Sequence, residues 1–324
     1  MSLILEPLFC LIYLGLLLLF IMALLSPFEA LGWWSGWAKK DIDPPADFPP
    51  RADLESRADF YVVYLTAIGG ISAEDISGRE RRFLSRLSEA LPGEVSIVDD
   101  VYPFSVTNNP LNGERQLGWL WQRIHNSRRG GRGSALAGLI FIRNLLQVGV
   151  SGDPRYGPIY NVGVAREIAR SLLRHGYPAG TGQAIAVMGW SGGGQIAAGV
   201  VPYLSKTLAA PINVISIGGV IADEPGVGFA NHLYHIQGSR DKFPSISKIL
   251  YPGRWPFASH STWNQAVSNG KITLIDPGPI KHTGHEDYFD HKSTLPDGQS
   301  FLDKTVSVIA DSLIAEAQAQ KEDS

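Results

Sequence analysis

Ile185-Ala186-Val187-Met188-Gly189-Trp190-Ser191-Gly192-Gly193-Gly194-Gln195-Ile196-Ala197-Ala198-Gly199-Val200 is the stretch on which the reading of this chain turns. Four apolar residues of strand length run into a glycine cluster, and a helical pattern follows at once. The pattern G-x-S-x-G is weakly selective by itself in a chain with 35 glycines; the strand before it and the helix after it supply the specificity. A serine at such a strand-to-helix turn is held in a strained conformation with its Oγ exposed. Gly189 and Gly193 are expected to be glycines because side chains there would collide across the turn. The start of the helix places backbone N–H groups and positive dipole beside the serine.

Working outward, five more short apolar runs punctuate the chain. Phe60–Thr66 is aromatic and β-branched, as a buried strand should be. Val95–Val98, Val214–Ile217, His232–Ile236 and Ile272–Ile275 follow the same pattern. Helix-length segments lie between most of them. Ser77–Leu91 carries Phe83, Leu84, Leu87 and Leu91 on one face and stops at Pro92-Gly93. Gly194–Leu208 and Phe301–Gln318 also read as helices. Alternating buried strands and helices predict an α/β fold, a mostly parallel sheet with helices on both faces. Between Val101 and Gly182 no strand is predicted, only helices over roughly Glu114–Asn126, Ser134–Val148 and Ile159–His175. One crossover needs one helix, so the excess predicts a helical cap or lid, with Trp119, Trp121 and the apolar Leu136–Leu146 in it.

From Phe60 onward the order of elements resembles the α/β-hydrolase superfamily, and the resemblance is specific around Gly189–Gly193 and two later loops. It implies a Ser-acid-His catalytic triad in that chain order, with Ser191 as nucleophile. His232-Leu233-Tyr234-His235-Ile236-Gln237-Gly238-Ser239-Arg240-Asp241 is similar to the family's late strand ending in a Gly-x-x-Asp turn. That makes Asp241 the expected acid, with Asp223 and Glu224 as the fallback. After the last strand, Lys281-His282-Thr283-Gly284-His285-Glu286 contains the Gly-His step where the family places its base. His285 is the expected base over His282, because Gly284 gives the loop the freedom to bring the imidazole to the serine. The resemblance further implies an oxyanion hole from the N–H of Gly192 and one from the loop Ala67-Ile68-Gly69-Gly70, for which Ile68 is the candidate. The sequence departs from the family there, having no His-Gly motif after Thr66.

The chain has 324 residues, 44% hydrophobic and 18% charged, with formal net charge -3. That supports a large core and disfavours a nucleic-acid partner, which needs a concentrated positive field. Arg128-Arg129-Gly130-Gly131-Arg132 reads as a solvated loop. The single cysteine, Cys10, leaves no cysteine chemistry for the folded domain. His282, His285, Glu286, Asp287, Asp290 and His291 lack the His-Glu-x-x-His spacing of a zinc site. No phosphate-binding or dinucleotide-binding glycine loop is present. No metal, cofactor or obligatory protein partner is therefore expected.

Leu8–Leu25 is free of charge and close to the length that spans a bilayer. Trp33, Trp34 and Trp37 follow as an interfacial belt, then Lys39 and Lys40. No Lys or Arg precedes the run, and Leu24-Leu25-Ser26-Pro27 is a poor cleavage site, so a retained anchor is expected rather than a signal peptide. The flanking positive charge puts the domain on the cytoplasmic side. The expected organisation is a transmembrane anchor and interfacial segment over residues 1–38, a Pro-rich linker over 39–58, and the catalytic domain over 59–324, with the insertion at about 101–182. Together these readings predict a single-pass membrane serine hydrolase acting on a lipid-like or other apolar acyl ester. A thioesterase or peptidase would use the same triad. The contrasting expectation is a non-catalytic anchored module that keeps the fold.

Overall fold

The computed structural model describes residues 58–113, 118–129 and 137–322, with helical positions at 13–15, 17, 20, 21, 24, 25, 28 and 31. Most of the expected Leu8–Leu25 span, the Trp33–Trp37 belt and the linker through residue 57 lie outside the described residues, as does most of the 128–132 basic loop. Among the described residues no helix is long and apolar enough to cross a membrane.

The elements in chain order are β1 (Phe60–Leu65), α1 (Gly78–Ala90), β2 (Val95–Val98), α2 (Gly118–Arg129), α3 (Ala137–Ser151), α4 (Gly157–Arg174), β3 (Ile185–Trp190), α5 (Gly192–Gly199), α6 (Val201–Leu208), β4 (Ile212–Ile217), α7 (Pro225–Phe229), β5 (His232–Ile236), α8 (Ser247–Leu250), α9 (Thr262–Ser268), β6 (Ile272–Ile275) and α10 (Phe301–Glu322). The strands form one sheet in the order β2-β1-β3-β4-β5-β6, every pair parallel. All six are the runs singled out in the sequence. Their period of two sorts side chains onto two cores. Tyr61, Val63, Leu65, Val187 and Val214 pack with Val164 and Ile168 of α4, Ile196 of α5 and Leu204 of α6. Val62, Tyr64, Met188, Ile215 and Ile236 pack with Phe83 and Leu87 of α1 and Ile309 and Leu313 of α10. Helices therefore cover both faces.

Local chemistry explains the boundaries. Ser77 caps α1 through a capping box: its Oγ accepts from Glu80 N–H, and the Glu80 carboxylate accepts from Ser77 N–H. Glu80 also accepts from Tyr64 and Thr66 hydroxyls, which pins the helix start to the end of β1. The predicted continuous helix over 194–208 is two helices, because Pro202 has no N–H to donate back to the Ala198 carbonyl and so interrupts the ladder between α5 and α6.

Of the three helices between Val101 and Gly182, α4 is the crossover, packed on β1, α5 and α6. α3 is extra; it packs on α4 and on the glycine-rich α5, with α2 behind it. The strand order reverses between β1 and β3, since β1 pairs with both β2 and β3. In open parallel sheets, the crevice outside the carboxyl ends at such a reversal is where ligands bind. Leu65 and Gly189 are register partners there, so the loops after β1 and β3 face each other across it.

Candidate functional site

Ser191 sits between β3 and α5 with φ 54° and ψ -117°. A non-glycine residue there stores strain that only rigid surroundings sustain. The surroundings are tight. A Cβ on Gly189 would lie 2.2 Å from the Gly193 carbonyl oxygen, and one on Gly193 would lie 2.4 Å from the Leu65 oxygen. Both glycines thus serve the close approach expected of them, and the serine's own N–H donates to the Ile217 carbonyl on β4 at 2.9 Å.

The imidazole beside Ser191 belongs to His282. The Ser191 Oγ to His282 Nε2 distance is 2.9 Å. On the far side of the ring, His282 Nδ1 lies 2.8 Å from Asp241 Oδ2. A carboxylate without a proton accepts, so Nδ1 carries the hydrogen and Nε2 offers its lone pair to the serine hydroxyl. Asp241 is fully sequestered and has two further donors: Tyr288 hydroxyl to Oδ2 at 2.8 Å and Phe243 N–H to Oδ1 at 2.9 Å. Burial, with Asp241 beside it, pushes the Tyr288 phenol well above its usual range, so it stays a donor. The Phe243 ring stacks on His282, with centroids 4.3 Å apart.

Asp241 stands where the Gly-x-x-Asp turn was expected, its N–H donating to Gly238 O at 2.9 Å. Gly238 must be glycine because a Cβ would meet the Ile280 carbonyl oxygen at 2.4 Å. Gly218, after β4, has φ 56°, and its Cβ would crowd Asp241 Oδ2 at 2.8 Å and His282 Nδ1 at 3.2 Å. It is the floor of the acid–base pair.

His285 is a correction. Its side chain is 76% exposed and pairs with Ser293 Oγ at 3.0 Å, away from Ser191. The loop explains the exchange. Lys281 N–H donates to Glu286 O, bridging 281 to 287, while Gly284 (φ 92°) and Glu286 (φ 63°) reverse the chain between them. His282 leaves the bridge on the sheet side and is 8% exposed; His285 is turned to solvent at the tip. Arg79 on α1 clamps the loop through Asp287. Burial raises the Asp287 carboxyl above its usual range, while the guanidinium opposes that shift.

The fallback acids lie elsewhere. Asp223 accepts from Trp263 N–H at 2.9 Å, and Glu224 accepts from Gln195 Nε2 at 2.8 Å under α5. Burial pushes Glu224 up to about 7. His235, beneath the acid turn, is bonded through Nδ1 to Ser216 Oγ at 3.1 Å, and burial drives it down to about 3. Among the described residues no hydrogen bond joins it to Ser191, whose partner is His282.

On the other side of the serine, the Ile68 side chain and Val148 of α3 close on Gly192; a Cβ there would meet them at 2.5 and 2.9 Å. Among the described residues, neither the Gly192 nor the Ile68 N–H has a hydrogen-bond acceptor. The β1 loop is held by Asn144 of α3, whose Nδ2 donates to the Ile68 and Gly70 carbonyls at 2.9 Å each. Asn144 Oδ1 in turn accepts from Arg143 and Tyr102, and Arg143 also donates to Phe104 O at 2.7 Å. Gly218, Phe243, Tyr288 and Asn144 were not anticipated. Gly218-Gly219 after a strand was the available signal for the first; the others become visible only in three dimensions.

Among the described residues no three His, Cys, Asp or Glu side chains converge as metal ligands do. The acidic and histidine groups of 282–291 are engaged with Arg79, Arg82, Arg240, Lys281, Ser293 and backbone N–H groups. No protein-family model and no curated protein sequence matches this chain.

Proposed function

We propose that this chain is a serine hydrolase of the α/β-hydrolase type that cleaves an acyl ester through an acyl-enzyme intermediate. The observation that carries the reading is the unbroken Ser191 Oγ–His282 Nε2–Asp241 Oδ2 relay, built on a strained strand-to-helix turn at the sheet's reversal point. Base-to-nucleophile and acid-to-base contacts both fall in hydrogen-bond range, as an activated serine requires.

The steps follow from the donors and acceptors. His282 Nε2 takes the Ser191 proton as Oγ bonds to the acyl carbon, and the carbonyl π pair moves onto oxygen. Asp241 stabilises the imidazolium and fixes its tautomer. The Gly192 N–H and the Ile68 N–H are the donors assigned to the oxyanion; one such donor is worth about 2.7–4 kcal/mol of barrier. His282 then protonates the departing alkoxide. It next takes a proton from water as the water oxygen bonds to the acyl carbon; the acyl C–Oγ bond then breaks, His282 returns that proton to Ser191 Oγ, and the carboxylic acid leaves.

An apolar acyl group suits the surroundings, since Ile68 and Val148 meet at Gly192 and Phe243 covers the imidazole. The charge-free run 8–25 supports single-pass anchorage, with the domain on the cytoplasmic side. The test is labelling by a fluorophosphonate probe together with turnover of p-nitrophenyl acyl esters of graded chain length. Labelling that vanishes in Ser191→Ala is the expected result. Absence of both labelling and turnover in the full chain would reduce the domain to a non-catalytic anchored module.

A further inference from the structure

The stretch from Lys242 to Ile275 contains no Asp or Glu, although the chain has 31 acidic residues, and it carries Lys242, Lys248, Arg254 and Lys271. Its first half also holds a dense group of outward apolar side chains. Ile249, Leu250 and Phe257 are 77%, 59% and 78% exposed, and Phe243, Ile246 and Trp255 are exposed with them. Lys242 and Lys248 are exposed among these side chains.

This surface is braced from within. Two 3-10 turns and α8 shape residues 244–254, with Pro244, Ser247 and Arg254 turned inward. The Arg254 guanidinium lies 3.2 Å over the Trp263 ring and donates to Ile221 O at 2.6 Å. Asn264 Nδ2 donates to the Trp255 and Ala258 carbonyls, and Trp255 Nε1 donates to Lys248 O. The Trp255, Ala258 and Lys248 carbonyls are thus tied to side-chain donors while the apolar tips face out. The acids that touch the segment are turned inward: Asp223 accepts from the Trp263 N–H and Asp241 from the Phe243 N–H, and both Asp241 and Glu224 are buried. An apolar group of this density on a folded surface marks an interaction site. Aromatic and aliphatic tips flanked by Lys242 and Lys248, on a stretch without acids, match an anionic lipid surface. The same chain carries the charge-free run Leu8–Leu25 and the Trp33, Trp34 and Trp37 cluster, which places it where a bilayer is met.

We propose that the 243–257 segment docks the domain on an anionic lipid bilayer, with Ile249, Leu250 and Phe257 inserted and Lys242 and Lys248 on the headgroups. The docking stands on this surface and the apolar N-terminal run, not on the hydrolase reading. If that reading holds, docking brings Phe243, and hence His282 beneath it, to the lipid surface, and the substrate is a lipid acyl ester.

The test uses the full chain in vesicles of phosphatidylcholine, with and without phosphatidylserine. Cys10→Ser removes the single cysteine, and Ile249→Cys, Phe257→Cys and, as control, Lys206→Cys on α6 each receive an environment-sensitive fluorophore. Labels at 249 and 257 should shift to the blue and be quenched by nitroxide-bearing lipid at least threefold more than the label at 206. The effect should weaken on neutral vesicles and in the double variant Lys242→Glu, Lys248→Glu. Water-like emission at 249 and 257 on anionic vesicles overturns the proposal. So does shielding without nitroxide quenching: dependence on protein concentration would identify a second copy as the occupant, and independence would identify the chain's own N-terminal segment. None of these readouts depends on turnover, so they remain decisive if the fluorophosphonate test fails.

Discussion

Replacing His282 and His285 one at a time separates the two histidines more sharply than any other perturbation. His282 bridges Ser191 and Asp241, at 2.9 and 2.8 Å, and is 8% exposed. His282→Ala leaves Ser191 without a proton acceptor. Triad members act as a unit, so kcat should fall by about four to six orders of magnitude. The stability cost is smaller. Asp241 keeps Tyr288 and Phe243 N–H as donors, so the loss is that of one hydrogen bond to a charge, about 1.5–3 kcal/mol. His285 contacts Ser293 and lies 3.9 Å from Glu286. Its removal should change kcat less than about threefold and stability by less than about 0.5 kcal/mol, as for surface positions generally. The assay is kcat and KM on a short p-nitrophenyl ester, with urea denaturation of each variant. Turnover of His282→Ala within tenfold of wild type, or a hundredfold loss in His285→Ala, would refute the relay as drawn.

Two further outcomes follow from the surroundings of the relay. Tyr288→Phe removes one of three donors to Asp241 and the acceptor of Gly238 N–H; it should lower kcat about tenfold with KM unchanged, at a stability cost of about 1–3 kcal/mol, and an effect on KM alone would contradict a positioning role. Glu224 is a carboxyl raised from 4.5 to about 7 by burial, so its contribution to stability is full below pH 4.5, where both states are protonated, and is lost as pH rises through 7. Glu224→Gln should therefore gain on wild type between pH 4.5 and 8, by a relative amount on the order of 3 kcal/mol; a difference flat with pH in urea titrations would show that the carboxylate is ionised in the fold.

The strands were legible because a buried parallel strand needs a short run of apolar, β-branched side chains bounded by turn residues, which apolar stretches such as Leu139–Ile142 in α3 lack. The serine turn was legible because Gly189 and Gly193 face carbonyls at distances no side chain tolerates. Asp241 was legible for the same reason, through Gly238 against Ile280. The histidine was not. Sequence reasoning took Gly284 as the residue that lets a loop approach the serine, whereas its φ of 92° turns the loop away. The deciding contacts were Lys281 N–H to Glu286 O and Arg79 to Asp287. The latter joins residues 208 positions apart, which no local pattern reports. Tyr288 escaped notice for a similar reason: its hydroxyl looks like that of any tyrosine until it is placed against a carboxylate.

The same limit applies to α3, which the apolar Leu136–Leu146 made look like a mobile lid. The helix buries polar side chains beside the apolar Ile140 and Val148. Phe141, Ile142 and Leu145 face outward, while Arg143, Asn144 and Gln147 are at most 1% exposed. An amphipathic helix normally turns its polar side to water, so the buried polar groups need a local reason. Asn144 supplies one by donating to both the Ile68 and Gly70 carbonyls, and Arg143 and Tyr102 brace it. Lifting α3 as a lid would strip these partners from a buried amide and a buried guanidinium at once. Each loss costs about 1–3 kcal/mol, and more for the charge. It would also release the loop that carries the Ile68 N–H, dismantling the proposed oxyanion site at the moment of substrate entry. These contacts make α3 a wall beside Gly192 and argue against its lifting as a lid. For the proposed hydrolase this leaves the other rim as the way in, where Phe243 lies over His282 and the exposed apolar segment begins.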